Sequence, residues 1–162
     1  MDSSAPWDMT PRQSVEQECA RRGEADVVAA CVVLLAGGDV DRPFIFAIGG
    51  PAAESVLGPH PRQDQRYFLR VWAARALLYA WDDSAQPAVL GALADESWRV
   101  REMAAKVVAK RKIGDALSIV AEMSTDPVPR VRAAAARATA ILTAAGFFVL
   151  LFQHFVHLLL RH

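Results

Sequence analysis

The chain has 162 residues, a length that suits one domain with a hydrophobic core. Hydrophobic residues make up 53% of it, with alanine prominent, and few β-branched or aromatic runs alternate with polar residues, so we expect helices rather than strands. The formal net charge of zero hides an asymmetry, because residues 1–61 carry four basic and nine acidic side chains, whereas residues 62–142 carry thirteen basic and nine acidic ones. This basic excess is mild, so it permits an acidic partner but does not indicate a nucleic-acid-binding protein.

The N-terminal residues 1–12 are polar, and we expect a disordered leader without a secretory signal, because no cationic segment is followed by an apolar one. Two cysteines, Cys19 and Cys31, fall in apolar helical patterns and lack the spacing of a metal site. They predict buried free thiols in a reducing compartment, and hence a cytoplasmic protein. We expect no cofactor and no metal.

Residues 13–61 predict an N-terminal cap of degenerate helix pairs. Ser14 and Gln17 fit a capping box at the start of the first helix, and Gly23 should end that helix. Apolar patterns bounded by glycine and proline predict further helices over residues 24–36, 43–49 and 52–57. The segment 58–61, Gly-Pro-His-Pro, is a clear break before the next part of the chain.

An internal repeat with a period of 31 residues follows, and Asp64, Asp95 and Asp126 mark its three copies. Each aspartate is followed at fixed distances by an aliphatic residue, an arginine, an alanine and a second basic residue. In chain order these residues are Leu69, Val100 and Val131, then Arg70, Arg101 and Arg132, then Ala73, Ala104 and Ala135, then Arg75, Lys106 and Arg137. Agreement at five positions in three copies without a gap indicates a helical-repeat architecture.

Each copy should contain two helices. In the middle copy, Val100, Ala104 and Val107 belong to one apolar stripe at helical spacing. Second helices should begin after residues 82–84 and 114–115, where Asp and Ser can accept the N–H groups of a first turn. The sequence therefore predicts an all-α protein of about five helix pairs, three of them regular.

The repeat resembles a known family. Its pattern Asp-x-x-x-x-Val-Arg-x-x-Ala-Ala, present at residues 95–105 and 126–136, is similar to the HEAT repeat, and closest to the short HEAT-like kind of phycobilin-lyase-type repeats. The resemblance covers about residues 62–146 and implies a right-handed α-solenoid, a superhelix of HEAT-like helix pairs. The period of 31 residues is shorter than the roughly 40–47 of the longer HEAT class.

The resemblance also implies a role for the repeated charges. In this family the equivalent aspartates and arginines form a hydrogen-bonded ladder between neighbouring units. The ladder residues would be Asp64, Arg70, Asp95, Arg101, Asp126 and Arg132. The aspartates should also cap the first helix of each unit, so we interpret these charges as structural rather than catalytic.

A second group of basic and aromatic residues is the candidate binding face. Arg75, Lys106 and Arg137 form a second basic row, about 140° around the helix from the first row, with no acidic companion at a fixed spacing. With nearby cations and two tryptophans at helix ends, the predicted face comprises Arg75, Lys106, Lys110, Arg111, Lys112, Arg137, Trp81 and Trp98. An ordinary solvated face is the alternative interpretation.

The C-terminal residues 147–162 are rich in phenylalanine and leucine, unlike the repeats. Gly146 lies 31 residues after Asp115, so a helix that completes or caps the third repeat is due here. Its largely apolar surface predicts self-association through residues 147–160. A membrane contact and an abnormal terminus, such as a shifted reading frame, are the alternatives.

Together these features predict a non-catalytic scaffold that presents a helical surface to a protein or peptide. The alternative is an enzyme or enzyme accessory on the same fold, either lyase-like or acting on nucleic acid as HEAT-like DNA glycosylases do. No residue can be assigned a catalytic role, and a shared fold alone is weak evidence of activity.

Overall fold

The computed structural model describes residues 9–159, apart from the side chains of residues 154, 155, 158 and 159. Within this part of the chain all regular elements are helical, as predicted, and none is a strand. The α-helices are α1 (Pro11–Arg22), α2 (Glu24–Leu35), α3 (Arg42–Gly49), α4 (Glu54–Leu57), α5 (Tyr67–Ala76), α6 (Gln86–Ala92), α7 (Trp98–Arg111), α8 (Leu117–Glu122) and α9 (Pro129–Leu159). Residues 1–8 of the predicted leader, residues 1–12, lie outside the described residues. The last two residues of that leader already belong to α1.

The first helix begins one turn earlier than predicted. Thr10, not Ser14, forms the capping box, because the Gln13 N–H donates to Thr10 Oγ1 (3.3 Å) and the Thr10 N–H donates to Gln13 Oε1 (2.9 Å). Pro11 occupies the first helical position, where its missing N–H is not needed, and this favours the earlier start. Gly23 ends the helix as predicted, with a φ of 91° that side chains rarely adopt.

An ion pair joins the end of α1 to the start of α3. Asp41 caps α3 by accepting a hydrogen bond from the Phe44 N–H (2.9 Å), and its two oxygens accept from Nη1 and Nη2 of Arg22 at 2.9 and 3.1 Å. The hydrogen bond from Arg22 is the main reason why the pKa of Asp41 falls to about 2. The charged carboxylate therefore stabilises the folded state at neutral pH.

We expect the Asp41→Asn variant to have a lower melting temperature than the parent chain at pH 7. Asparagine retains an oxygen that can cap α3 but loses the charge that binds Arg22. Because folding lowers the pKa of Asp41, its contribution is present above the unfolded value of about 3.9 and is lost as pH falls towards about 2. Thermal melts at several pH values should show the difference between the two proteins shrinking in this window, and a constant difference would contradict the assignment.

The regular units follow as pairs of helices. Helices α5 and α6 form the first pair and α7 and α8 the second, and each second helix is short and preceded by a 3₁₀ turn, at Asp83–Ala85 and Gly114–Ala116. The predicted stripe of α7 is buried, and α7 packs against α5 and against α9. Successive first helices of the units therefore lie side by side.

The N-terminal helices share one hydrophobic core with the repeats. Trp72 of α5, predicted as a core residue, is buried and lies against Gly49 at the end of α3. A Cβ atom on Gly49 would approach Trp72 Cε3 to 2.7 Å, so this contact requires glycine. The segment predicted as a cap thus packs directly on the first regular unit.

The third unit differs from the prediction. No turn occurs at Gly146, and α9 continues as one helix of 31 residues from Pro129 to Leu159. The residues from Phe147 to Phe152 are exposed, with exposed fractions between 51% and 71%. A glycine inside a helix costs only about 1 kcal/mol relative to alanine, and the neighbouring alanines favour helix, so the expected break does not form. The described C-terminal segment therefore extends the first helix of the unit and does not supply its second helix.

Candidate functional site

The repeated charges form a ladder between units with two rungs. Nε and Nη2 of Arg70 donate to the Asp95 carboxylate at 2.7 and 3.1 Å, and the same atoms of Arg101 donate to Asp126 at 2.8 and 3.2 Å. All four side chains are at least four-fifths buried. The ladder thus links each first helix to the turn that precedes the first helix of the next unit.

Each rung also organises the local backbone. The Ser97 N–H donates to Asp95 Oδ1 and the Val128 N–H donates to Asp126 Oδ1, both at 2.8 Å. These aspartates lie ahead of the helices, so they order the preceding turn and are not the N-caps that the sequence predicted. Arg132 donates from Nη1 to the Asp126 carbonyl (2.7 Å), which fixes the same turn from the other side.

Asp64 does not continue the ladder. Its exposed carboxylate accepts from Arg62 Nη2 at 3.2 Å, within its own segment. The rung distance of 25 residues would require an arginine at position 39, where the sequence has Asp39. The first unit therefore has an aspartate at the repeat position without the arginine that would bind it.

The predicted second basic row does not form a single face. Nη2 of Arg75 donates to the Ile48 carbonyl (2.6 Å), and burial lowers the pKa of Arg75. Nε and Nη2 of Arg111 donate to the Leu77 carbonyl at 3.0 and 2.9 Å, and Lys106 Nζ donates to Glu102 at 2.8 Å. The other three cations of the predicted face are exposed: Lys110, Lys112 and Arg137. The structure therefore uses three of the six predicted cations for internal contacts, and two of these three belong to the second basic row.

Trp81 also makes internal contacts. Its backbone N–H donates to Glu24 Oε1 (3.0 Å), its Nε1 donates to Asp83 Oδ1 (3.1 Å), and the Arg111 guanidinium lies 5.5 Å from its ring centroid. These contacts join α2 to the turn after α5. Trp81 is therefore better explained as a link within the fold than as a binding residue.

Trp98 lies in a different environment, at the centre of a cluster of aromatic rings and arginines. The Arg99 guanidinium is 4.4 Å from the Trp98 ring centroid and 5.8 Å from that of Tyr67, and the Arg130 guanidinium is 5.5 Å from Trp98. Phe68 stacks on Tyr67 with 4.5 Å between centroids. We call these five residues, Tyr67, Phe68, Trp98, Arg99 and Arg130, the Trp98 surface.

The Trp98 surface is accessible. Its three rings are partly exposed, Arg99 and Arg130 are exposed, and an open groove of about 370 Å³ is lined by Tyr67, Glu96, Ser97, Trp98 and Arg99. Arg99 makes no ion pair within residues 9–159. The surface therefore combines apolar rings with a cation that is available to a ligand.

A buried carboxylate positions one arginine of this surface. Glu102 is only 8% exposed and accepts from Lys106 and from both Nε (3.3 Å) and Nη2 (3.2 Å) of Arg130. Burial alone would raise the pKa of Glu102, but these cations outweigh it and keep that pKa below its usual value. Glu102 therefore remains charged at neutral pH and directs Arg130 towards Trp98.

Of this surface, only Trp98 belongs to the binding face predicted from the sequence. The other members share a simple signal, because they occupy the two positions directly before the repeated aliphatic residue in each unit. Those positions hold Tyr67-Phe68, Trp98-Arg99 and Pro129-Arg130. Because neighbouring units stack side by side, equal repeat positions meet in space.

Paired helices in register, with a charge ladder between units, define a helical-repeat protein. The family model for HEAT repeats matches residues 55–140, more than half of the chain, and the chain belongs to the HEAT-repeat family. The family predicted from the repeat pattern is thereby confirmed. No curated protein and no solved structure matches the chain.

A metal centre and a membrane-spanning helix are two other classes of site. Among the described residues, no group of three or more histidine, cysteine, aspartate or glutamate side chains could hold a metal ion. One helical segment, Pro129–Gln153, is long and apolar enough to cross a membrane, and its most apolar stretch has a mean hydropathy of 1.8 and is 17% buried. Length and composition of this kind are also found in helices of soluble proteins, so the segment is weak evidence for a membrane protein.

Proposed function

We propose that this chain is a non-catalytic cytoplasmic scaffold, a right-handed HEAT-repeat solenoid that binds a protein or peptide through the Trp98 surface. HEAT repeats commonly mediate protein interactions, and the chain belongs to that family. The observation that carries the proposal is the stacking of Arg99 on Trp98 beside Tyr67, at a site where Arg99 makes no ion pair within the described residues. The free thiols of Cys19 and Cys31 suit a reducing compartment.

The composition of the Trp98 surface is that of a binding hot spot. Tryptophan, tyrosine and arginine are the residues whose removal most often weakens protein interfaces. The rings are also held on rigid elements, because Tyr67, Trp98 and Arg130 belong to the first turns of three successive units. Little conformational entropy should therefore be lost when a partner binds.

The charges of the surface indicate the chemistry of the partner. Arg99 and Arg130 offer guanidinium groups beside apolar rings, which suits a peptide segment carrying a carboxylate next to an apolar side chain. A single-stranded nucleic acid could also stack on such rings. However, a nucleic acid brings a phosphate with every nucleotide into a groove that the exposed Glu96 also lines, whereas a peptide needs to place only one carboxylate at the arginines.

The test is site-specific photocrosslinking with a benzophenone side chain in place of Tyr67, and in place of the exposed Ser118 on α8 as a control. We expect a protein adduct from the source cells at position 67 and none at position 118. Adding Arg99→Glu should reduce the adduct by about tenfold or more, because it reverses the charge at the hot spot. Adding Arg137→Glu, the same change at an exposed arginine outside the surface, should leave the adduct unchanged.

The same experiment separates the competing surfaces. If Arg137→Glu removes the adduct and Arg99→Glu does not, the remaining basic row is the binding face and the proposed surface is wrong. If position 67 captures no protein but the chain binds single-stranded nucleic acid in a manner that weakens steeply with salt, the partner class is wrong. Unchanged melting temperatures must accompany each variant, and both arginines are exposed, so the fold should tolerate them.

A further inference from the structure

The stack of units is open at its C-terminal end. On α7, the side chains of Glu102, Ala105 and Ala109 are buried on the side that faces α9, since Glu102 binds Arg130 of that helix. The residues 31 positions later, Ala133, Ala136 and Ala140, are exposed. The row that α9 covers on the preceding unit is therefore uncovered on α9 itself, within the described structure.

This row continues along α9 into the apolar C-terminal segment. Ala133, Ala136 and Ala140 are followed at the same alternating spacing of three and four residues by Thr143, Phe147 and Leu150, all exposed. Such spacing places the six residues on one stripe, the pattern of a helix that packs against another helix. We call this stripe the α9 seam. Its first half is made of small side chains, and its second half of large ones, with Phe147 62% and Leu150 66% exposed.

We propose that the α9 seam is a homodimer interface, in which α9 of a second copy of this chain packs antiparallel on it. In this arrangement the large half of each seam lies on the small half of its partner. With Thr143 near the two-fold axis, Ala140 faces Phe147 and Ala136 faces Leu150 of the other copy. The same surface is used by both copies, as a two-fold interface requires.

The lengths and sizes of the two halves agree with this pairing. Residues 129–142 and 147–159 differ by one residue in length, so each C-terminal half can cover the open end of its partner's stack. Alanine rows permit close approach of helices and leave room for phenylalanine and leucine from the other side. The pairing therefore gives both exposed halves a complementary surface.

The exposed apolar area is sufficient for a specific dimer. The seam offers two large and four small exposed side chains, and Leu151, which is 51% exposed, lies directly beside it. At on the order of 100 Å² for each of these three large side chains and about 50 Å² for each small one, each copy presents about 500 Å². Covering this area on both copies removes about 1,000 Å² from water, which is the size that a specific interface needs.

A second copy explains the seam better than a membrane does. The first half of α9 is held in the repeat core by Val131, Ala135 and Ala138, which are buried. The segment Pro129–Gln153 also contains Arg130, Arg132 and Arg137, which would be costly inside a bilayer. Placing the whole of Pro129–Gln153 in a membrane would therefore remove α9 from the core that it completes.

Light scattering during size-exclusion chromatography tests the interface on the full chain. We expect twice the chain mass of 17.6 kDa for the parent protein and the single mass for Ala136→Arg, which places a charge in the seam. Ala29→Arg is the matched control, because Ala29 is an exposed helical alanine on α2, outside the seam, and this variant should stay dimeric.

The register is tested by mixing. Leu150→Glu alone should also be monomeric, but mixing it with Ala136→Arg should restore a dimer, because the new positive charge of one copy then meets the new negative charge of the other. Residues 136 and 150 are about 21 Å apart on one helix, so this rescue cannot arise within a single copy. A parallel pairing would bring equal positions together and give no rescue.

Several outcomes would overturn the proposal. A monomeric parent protein, or a dimer that Ala136→Arg leaves intact, would show that the seam is not the interface. A dimer lost in both variants and not restored by mixing would refute the antiparallel register. A parent protein that is monomeric in solution but floats with neutral phosphatidylcholine vesicles would assign the apolar segment to a membrane. The α9 seam contains no residue of the Trp98 surface, so a failure of the dimer would leave the proposed function standing.

Discussion

Replacing Asp126 by alanine is expected to lower the free energy of unfolding by about 3–5 kcal/mol, as breaking a buried ion pair does. The substitution removes both hydrogen bonds of the Arg101 rung, whose side chains are 16% (Arg101) and 8% (Asp126) exposed, and it also removes the acceptor of the Val128 N–H. The cost is large because the Arg101 guanidinium stays buried, with only backbone carbonyls as partners.

Asp64→Ala is the matched control for this prediction. Asp64 occupies the same repeat position as Asp126, but its side chain is 68% exposed, and within the described residues its ion pair is with the exposed Arg62. We expect the control to change the free energy of unfolding by less than about 0.5 kcal/mol in urea titrations. Similar losses in the two variants would mean that the repeat position, rather than the rung, determines stability.

The effect of Asp126→Ala should also depend on pH. The hydrogen bond from Arg101 is the main cause that keeps the pKa of Asp126 below its usual value. Because the folded pKa is lowered, the stabilisation is complete above the unfolded value of about 3.9 and is lost as pH falls through the folded value. The difference between the parent protein and the variant should therefore shrink in acid.

The repeated pattern predicted the helical class and the period, and the resemblance to the HEAT repeat implied the residues of the ladder. The sequence did not separate the paired aspartates from Asp64, although the signal was present. A rung joins an arginine to the aspartate 25 residues later, and position 39 holds an aspartate instead of an arginine. An aspartate at the repeat position therefore does not by itself show that the chain supplies the arginine that would bind it.

The predicted basic face was less accurate, for a different reason. Helical spacing places Arg75, Lys106 and Arg137 at equal positions of three units, but it does not show which neighbours cover them. Arg75 donates to the Ile48 carbonyl and Arg111 to the Leu77 carbonyl, 27 and 34 residues earlier in the chain. Contacts at such distances depend on how helices pack, which no local pattern records.

The C-terminal half of α9 shows a conflict between register and local preference. The period required a turn near Gly146, but the earlier turns also contain residues that stop or cap helices. Lys112 adopts a left-handed conformation after α7, and Asp82 accepts from the Ser84 N–H before α6. No aspartate, serine, asparagine or proline lies between Ala144 and Phe152. Helix propensity therefore continues α9 through the position where the period predicted a break.

Phe44→Ala is expected to lower the free energy of unfolding by about 3–5 kcal/mol, as truncation of a fully buried aromatic side chain does. Phe44 is 0% exposed, and the Arg22 guanidinium lies 4.9 Å from its ring centroid. Phe152→Ala makes the same chemical change at a side chain that is 69% exposed, outside the α9 seam, and should alter stability by less than about 0.5 kcal/mol.

The shape of the unfolding transition makes this variant informative about the whole chain. Phe44 belongs to α3, in the segment predicted as a cap, and that segment shares its core with the repeats through Trp72 and Gly49. We therefore expect Phe44→Ala to shift a single transition, seen equally by far-ultraviolet circular dichroism and by tryptophan fluorescence. If only part of the signal shifts, and the rest changes at the same point as in the parent protein, the N-terminal helices unfold independently. Their packing on α5 would then contribute little to the stability of the repeats.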